Sequence, residues 1–454
     1  MAEIKIAFHC PPVQQKKARY VIDLFSSITG LKFVSTDKSP DIIYGDGSSG
    51  AALIIPCIDY SINDGDWLLL EGKSRLVVPS FIQADALASE LSPLPLDILA
   101  LMFKFLEAGL KKDGASMWSP DRFKTNLCYT YPFFVSYAEY LLRALKKSGL
   151  IASEFQVKSP WPGEAVFAVG LSHDLDIFKR RLPGSVIMLI KSLIPGLLPG
   201  GIAGSLRGLF DSALSILPGR TNPYCGFERW PDMEGISTLF VYQGRNRTSK
   251  DPTYEAAAVA RKIAGLPGTQ FEIGLHNGIG TSSKAQLLKE SRDELAEKFG
   301  AGVRGIRPHY LDCRFPEFWR NAGDFDYSSS VGSDRICGFA GGLNFPFFGV
   351  DFDSGERLSM LELPIGVMDC ALFTISDPQI RQRTIDQILQ VSAATHGLLV
   401  LDWHTMTAYE PDFPGWFAAY KSILARVKEL GAYIAPLGEI ERHWRGHCES
   451  VFLS

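Results

Sequence analysis

Ala165-Val-Phe-Ala-Val-Gly-Leu-Ser-His-Asp-Leu-Asp176 is the stretch on which the reading of this chain turns. Its first seven residues are apolar and rich in β-formers, as expected of a strand buried on both faces of a parallel sheet. The run then stops at Ser172-His173-Asp174-Leu175-Asp176, two carboxylates and an imidazole within five residues. Ligands in parallel sheets and barrels bind at the carboxyl ends of strands, where these groups fall. The plainer alternative is a loop aspartate pair capping the next element. On this cluster alone the two readings stand even, and the later histidines tip the balance toward chemistry.

Outward from that stretch, strands and helices alternate. Expected strands are Ile236–Tyr242, Gln270–Leu275, Val303–Arg307, Asp324–Ser328, Ser359–Pro364, Gly397–Trp403 and Ala432–Pro436. The expected helices are Asp251–Ala264, Ser282–Phe299, Pro378–Ala394 and Trp416–Leu430. This order predicts a parallel α/β architecture with polar groups gathered around one mouth of a barrel. Residues 1–155 read as a separate small α/β unit, with strands at Ile4–Phe8, Leu31–Val34, Asp41–Tyr44, Ala52–Pro56 and Leu76–Val78. Its helices are expected near Val13–Thr29, Pro95–Lys112 and Pro132–Ser148. The proline-rich Val157–Gly163 marks the boundary, leaving 160–454 for the barrel.

Composition removes several classes of function. At 454 residues, 46% hydrophobic and 21% charged, the chain is an ordinary globular protein long enough for two domains. A formal net charge of −4 disfavours a general nucleic-acid binder. Eight cysteines without a Cys-x-x-Cys pair suit reduced thiols. The first residues lack the apolar core of a signal peptide, so a cytoplasmic location is expected. The segment 178–220 is unusual: six basic residues and one acid, Asp211, separate apolar runs broken by Pro-Gly. A helical cover on the barrel or a dimer contact is the first reading. Peripheral contact with the inner face of an anionic membrane is the second.

The chemistry collects at four strand ends: Asp174/Asp176, His276, Arg307/His309/Tyr310 and His404. Any one of these alone reads as a satisfied polar residue at a core edge, but together they point to a metal-assisted hydrolase. Leu171-Ser-His-Asp-Leu-Asp176, Glu272-Ile-Gly-Leu-His276, Gly305-Ile-Arg-Pro-His-Tyr-Leu311, Phe325-Asp-Tyr-Ser328, Leu361-Glu-Leu-Pro364 and Leu401-Asp-Trp-His404 follow one another as in the polysaccharide deacetylases. The chain therefore resembles that family, the NodB-homology or carbohydrate esterase family 4 group, over about residues 160–445. More weakly, Asp41–Gly45, Leu96–Ala100 and Asn222–Phe227 resemble a branch carrying an extra N-terminal α/β domain.

The resemblance implies a distorted (β/α) barrel that removes N-acetyl groups from sugars or glycans with one divalent metal, zinc most commonly. It implies that Asp174 is the general base, Asp176 the metal carboxylate, His276 a metal ligand and His404 the general acid. Arg307 and Tyr310 match a groove motif that orients the base and lends backbone donors to the oxyanion. Two positions depart from the pattern. Gly280 stands where a second metal histidine is expected, and Ala340 where an arginine is expected. His309, just past a strand end, is the candidate replacement ligand, with Asn277 or Ser282 as the other option. The substrate expected is an N-acetylated sugar or glycan precursor, with residues Trp403, Trp319 and Phe347 shaping the pocket. A same-fold hydrolase of a non-sugar amide, and a glycan binder without turnover, are the alternatives.

Overall fold

The structure, a computed structural model, describes residues 3–47, 50–58, 67–71, 75–79, 92–110, 131–226, 230, 236–245, 247–266 and 270–453. Its N-terminal part carries a four-stranded parallel sheet in the order β2-β1-β3-β4, formed by β1 (Ile4–His9), β2 (Phe33–Ser35), β3 (Ile42–Gly45) and β4 (Leu53–Ile55). A separate antiparallel pair, β5 (Trp67–Glu71) and β6 (Arg75–Pro79), follows. Helix Pro12–Thr29 starts with a proline in its first turn and ends at Gly30, whose φ of 73° suits a residue without a Cβ. Helices Ile98–Leu110 and Phe133–Lys147 bury wide apolar faces beside it.

The larger sheet contains β7 (Ala168–Leu175), β8 (Ile236–Tyr242), β9 (Gln270–Asn277), β10 (Gly305–Pro308), β11 (Tyr327–Ser328), β12 (Phe347–Val350), β13 (Arg357–Glu362), β14 (Ile365–Met368), β15 (Leu398–Asp402) and β16 (Tyr433–Pro436). Its order is β12-β13-β11-β10-β9-β8-β7-β15-β14, with β16 against the first half of β7. All pairings are parallel except β12 with β13. The gap between β11 and β14 is bridged by Ile365 N–H to Val331 O and Gly338 N–H to Gly366 O. Closure by isolated bonds in place of a ladder is the distortion of the barrel. The expected α/β architecture is the one found.

Every residue of β7 is buried, as its apolar run requires. Gly170 lets helix Leu437–Leu453 close the barrel's lower end, since a Cβ there would lie 2.5 Å from a Leu437 methyl. Several elements differ from the sequence reading, which did not expect β5, β12, β14 or the helix Leu437–Leu453. The helix expected from Asp251 begins at Ala256, because Asp251 turns its carboxylate onto the backbone N–H groups of Thr248 and Ile279. The strand expected over Ser359–Pro364 is β13, ending at Glu362, and β14 follows directly after Leu363-Pro364. The segment 178–220 folds as two packed helices, Leu182–Lys191 and Gly201–Leu214. The seven described cysteines are free thiols, and Cys128 lies outside the described residues.

Candidate active site

Strand alternation sets the site. Residues i and i+2 share a face, so Ser172, Asp174 and Asp176 point into the barrel while His173 points out. His173 is buried, donates Nδ1–H to Trp403 O at 2.8 Å and packs on Trp230 with ring centroids 4.2 Å apart. It belongs to the core behind the strand.

Asp176, His276 and His309 come together at the mouth, with one donor atom from each lying within 4.8 Å of the others. His276 Nε2 lies 3.3 Å from Asp176 Oδ1, and His309 Nε2 lies 3.6 Å from Asp176 Oδ2. Both rings are oriented from behind. His276 donates Nδ1–H to Arg307 O at 2.8 Å, and His309 Nδ1 meets the carboxylate of Asp251 at 3.1 Å. Occupying Nδ1 in this way fixes the neutral tautomer that presents the Nε2 lone pair forward. His276 Nε2 and Asp176 Oδ1 are buried without any hydrogen-bond partner, facing each other where a bound cation would satisfy both. The donor set of two imidazoles and a carboxylate therefore fits a divalent metal. Burial pushes Asp176 upward, but the imidazoles of His404, His276 and His309 hold it well below the usual carboxylate range. Burial pushes His309 down, and the nearby carboxylates of Asp176 and Asp251 raise it above its ordinary value.

Asp174 lies beside this cluster, its Oδ2 at 3.9 Å from His276 Nε2. Its Oδ1 accepts from Arg307 Nη1 at 2.8 Å. The fully buried Arg307 also bonds Ser329 O, Ser329 Oγ and Ser172 Oγ. The same Nη1 is 2.8 Å from Asp402 Oδ1, an ionic contact without hydrogen-bond alignment, since both oxygens of Asp402 lack hydrogen-bond partners. Burial raises both acids. Arg307, with His276 and His404, keeps Asp174 below its ordinary value, whereas Asp402 is pushed up to about 7, with Asp174 adding to the rise. One guanidinium thus holds one carboxylate charged and leaves the second in reserve.

His404 faces the cluster from β15, with Nε2 3.5 Å from Asp176 Oδ2 and Nδ1 2.7 Å from Asp369 Oδ1. Burial lowers its basicity, but Asp369 and Asp176 raise it well above an ordinary imidazole, which favours its protonated form. Tyr310 is 65% exposed, with its ring tilted over His309 at 4.4 Å. It and Leu311 take φ values of 57° and 51°, a region costly for non-glycine residues and often found at functional turns.

The cleft has two connected lobes. A cavity of about 340 Å³ over the cluster is walled by Phe413, Trp416, Met406 and Leu311. A second, of about 470 Å³, runs from Asp176, His309 and Tyr310 to Phe178, Gly184 and Met188. The expectation that Trp403, Trp319 and Phe347 shape the pocket is corrected. All three are buried, and Trp319 and Phe347 pack on each other, with ring centroids 5.9 Å apart. The aromatic walls are Tyr310, Phe413 and Trp416.

Gly280, at φ 72°, gives its N–H to Asp312 in the turn after β9. Asn277 donates to Thr281 and Ser282, and Ser282 donates to Asp312 O, so these side chains brace that turn. Ala340 lies in a short turn whose glycines 341 and 342 approach Leu110 and Phe105 of the N-terminal part. Sequence reading missed Asp251 and Asp369. Asp251 reads as a helix start, and Asp369 follows a strand that merges with its predecessor in the sequence. A four-residue apolar run ending in Asp, Ile365–Asp369, was the available signal. Glu362, from Leu361-Glu-Leu-Pro364, is buried against Trp319 Nε1 and the N–H groups of Ser330 and Val331. It holds the loop after β11.

No protein-family model matches the chain, and no curated protein matches it. Among solved structures, it is similar to a protein described as a polysaccharide deacetylase from Mycobacterium smegmatis, at 17% identity over 63% of this chain and 92% of that one, TM-score 0.38. It is similar to a second protein so described from Pseudomonas aeruginosa PAO1, at 16% identity over 64% and 95%, TM-score 0.39. A third is Puue allantoinase, at 14% identity over 65% and 96%, TM-score 0.40.

Proposed function

We propose that this chain is a metal-dependent hydrolase that removes an N-acetyl group from a sugar or glycan precursor. The observation that carries the reading is the convergence of His276 Nε2, His309 and the Asp176 carboxylate within 4.8 Å of one another, with His276 Nε2 and Asp176 Oδ1 buried and lacking any hydrogen-bond partner. These three residues are the ligands proposed for one divalent ion, with zinc suited to the nitrogen and oxygen donors. Such an ion acidifies water and polarises a carbonyl.

The remaining roles fall to the chain's own groups. Asp174 has one oxygen tied to Arg307 and the other turned to the cluster, the placement of a general base that stays ionised. His404, protonated and backed by Asp369, stands across the cleft to hand a proton to a departing amine. Arg307 orients Asp174, and the Tyr310 turn borders the position of the acyl group. The amphipathic 340 Å³ lobe, with aromatic walls on one side and the charged cluster on the other, suits a sugar ring carrying an acetamido group.

Metal content measured together with acetate release from N-acetylated sugars tests this. About one ion per chain, and acetate release abolished in Asp174→Asn with metal retained, is the expected result. A protein that takes up neither zinc nor cobalt and releases no acetate would refute the proposal.

A further inference from the structure

The helices Leu182–Lys191 and Gly201–Leu214 are packed inside out. On an ordinary surface helix the apolar stripe faces the core. Here the buried positions are Ser185 on the first helix and Gly204, Ser205, Gly208 and Ser212 on the second. The apolar residues face away. Twelve of the eighteen exposed large hydrophobics among the described residues lie between 182 and 217, too many to be scattered surface apolar residues. Ile187, Ile190, Leu193, Leu206, Phe210 and Ile216 are representative, with Leu193 66% and Ile216 71% exposed.

What fastens the hairpin is polar. Arg180, buried, pairs with Asp412 at 2.7 Å and also contacts Ser212, while Tyr224 donates to Asp412 at 2.6 Å. Gly200 and Gly204 lie directly against Pro411 O, where any Cβ would collide. The outward apolar face is therefore fixed in place by a specific buried network.

We propose that this face inserts into the interfacial layer of an anionic bilayer. Three observations choose that occupant. First, Lys179, Arg181, Lys191 and Arg220 are exposed within the segment, and no carboxylate pairs with them among the described residues. Exposed cations beside an apolar face match anionic headgroups over acyl chains. A second copy of the chain fits less well, because a two-fold contact sets the same patch against itself. The cations would then meet each other, while the single acid, Asp211, is engaged by Arg207 and Tyr409. Second, helices of 10 and 14 residues reach only about 15 and 21 Å. They are too short to cross a ~30 Å core but long enough to lie in its surface. No described helix is long and apolar enough to cross a membrane. Third, the larger lobe of the cleft runs from Asp176 and His309 to Gly184 and Met188 of the hairpin, so the site opens against the helix that carries the face. On the deacetylase reading, that proximity makes an amphiphile held in the bilayer, with its polar head in the cleft, the substrate class.

Flotation of the full chain with phosphatidylglycerol–phosphatidylcholine vesicles and with phosphatidylcholine alone tests the surface without reference to catalysis. The wild type should float with the anionic vesicles and be released by high salt. Leu193→Glu/Phe210→Glu should float at least tenfold less while keeping its circular dichroism melt and metal content. Wild type left in the soluble fraction, or a variant that floats equally, overturns the proposal. So does a lipid-free dimer, seen by light scattering, that the variant converts to monomer. Metal binding and acetate release from soluble sugars report separately on the deacetylase reading.

Discussion

His309 and His404 both present Nε2 to the same oxygen of Asp176, at 3.6 and 3.5 Å, and substitution separates their roles. Asp251 stands behind His309 and Asp369 behind His404. Removing such an outer partner from a ligating histidine typically weakens metal binding by roughly 10- to 100-fold. Asp251→Asn should therefore lower zinc affinity in that range, read by competition with a chromogenic chelator; unchanged affinity would remove His309 from the ligand set. His404→Ala should retain about one ion per chain and lose roughly 10²- to 10⁴-fold in turnover, the usual span for a general acid. Loss of the ion instead would make His404 a ligand. Arg307→Met leaves Asp174 and Asp402 buried together without their cation. Breaking a buried pair costs about 3–5 kcal/mol, so this variant should melt early as well as lose activity. The seven residues singled out at strand ends all lie at one mouth, because strand-end placement is a property of sequence order. Asp251 and Asp369 escaped because their roles depend on loops that return to the site from other elements.

At the scale of single elements, side-chain pattern and direction came apart. Leu, Ile and Phe at three- and four-residue spacing mark one side of the helices at 182–214, but periodicity does not say which side faces the core. The small residues on the opposite side carried that information, since Gly204 and Gly208 permit the closest approach. The buried Arg180–Asp412 pair holds this element. Asp412→Ala should strand a buried guanidinium and loosen the hairpin, at about 3–5 kcal/mol, seen as faster amide exchange over 182–214 with barrel strands unchanged. Equal exchange would assign the docking to other contacts. Asp97 does similar work in the N-terminal part, where it caps Ile98–Leu110 through Ala100 N–H and also accepts from Tyr44 and Ile58. Burial raises its carboxyl from 3.8 to about 6. A folded-state value above the unfolded one means that its contribution is complete below 3.8 and lost as pH rises through 6. Wild type should therefore lose thermal stability relative to Asp97→Asn between pH 4 and 7, and a constant difference would place the ionised form at no disadvantage.

The whole molecule is held by one apolar core running from Ile4 to Cys448. Its two parts meet through specific contacts. Tyr20 donates to Phe348 O at 2.6 Å, His447 Nε2 reaches Ser27 O at 2.8 Å, and Phe105 and Leu110 pack onto the turn at Gly341-Gly342. Val157–Gly163 stands out in the sequence as a proline-rich break in composition. The contacts across it were not legible there, because they join residues more than two hundred positions apart and leave no periodic trace. They matter for the site. The turn touched by Phe105 and Leu110 follows β11, and Ile365 N–H in β14 bonds Val331 O in the same segment. That segment is where the barrel closes without a ladder, so the N-terminal part braces its weakest seam. A fragment beginning at Lys158 would expose Phe347, Phe348 and Trp444, which line a crevice with Tyr20 and Leu24. It should be insoluble, or melt roughly 10 °C or more below the full chain, a shift of about 3–5 kcal/mol at the usual 2–4 °C per kcal/mol for domains of this size. Hydrogen exchange on any soluble fragment should show the loss first in 329–342 and β14. A fragment that melts with the full chain would mean that the barrel closes unaided.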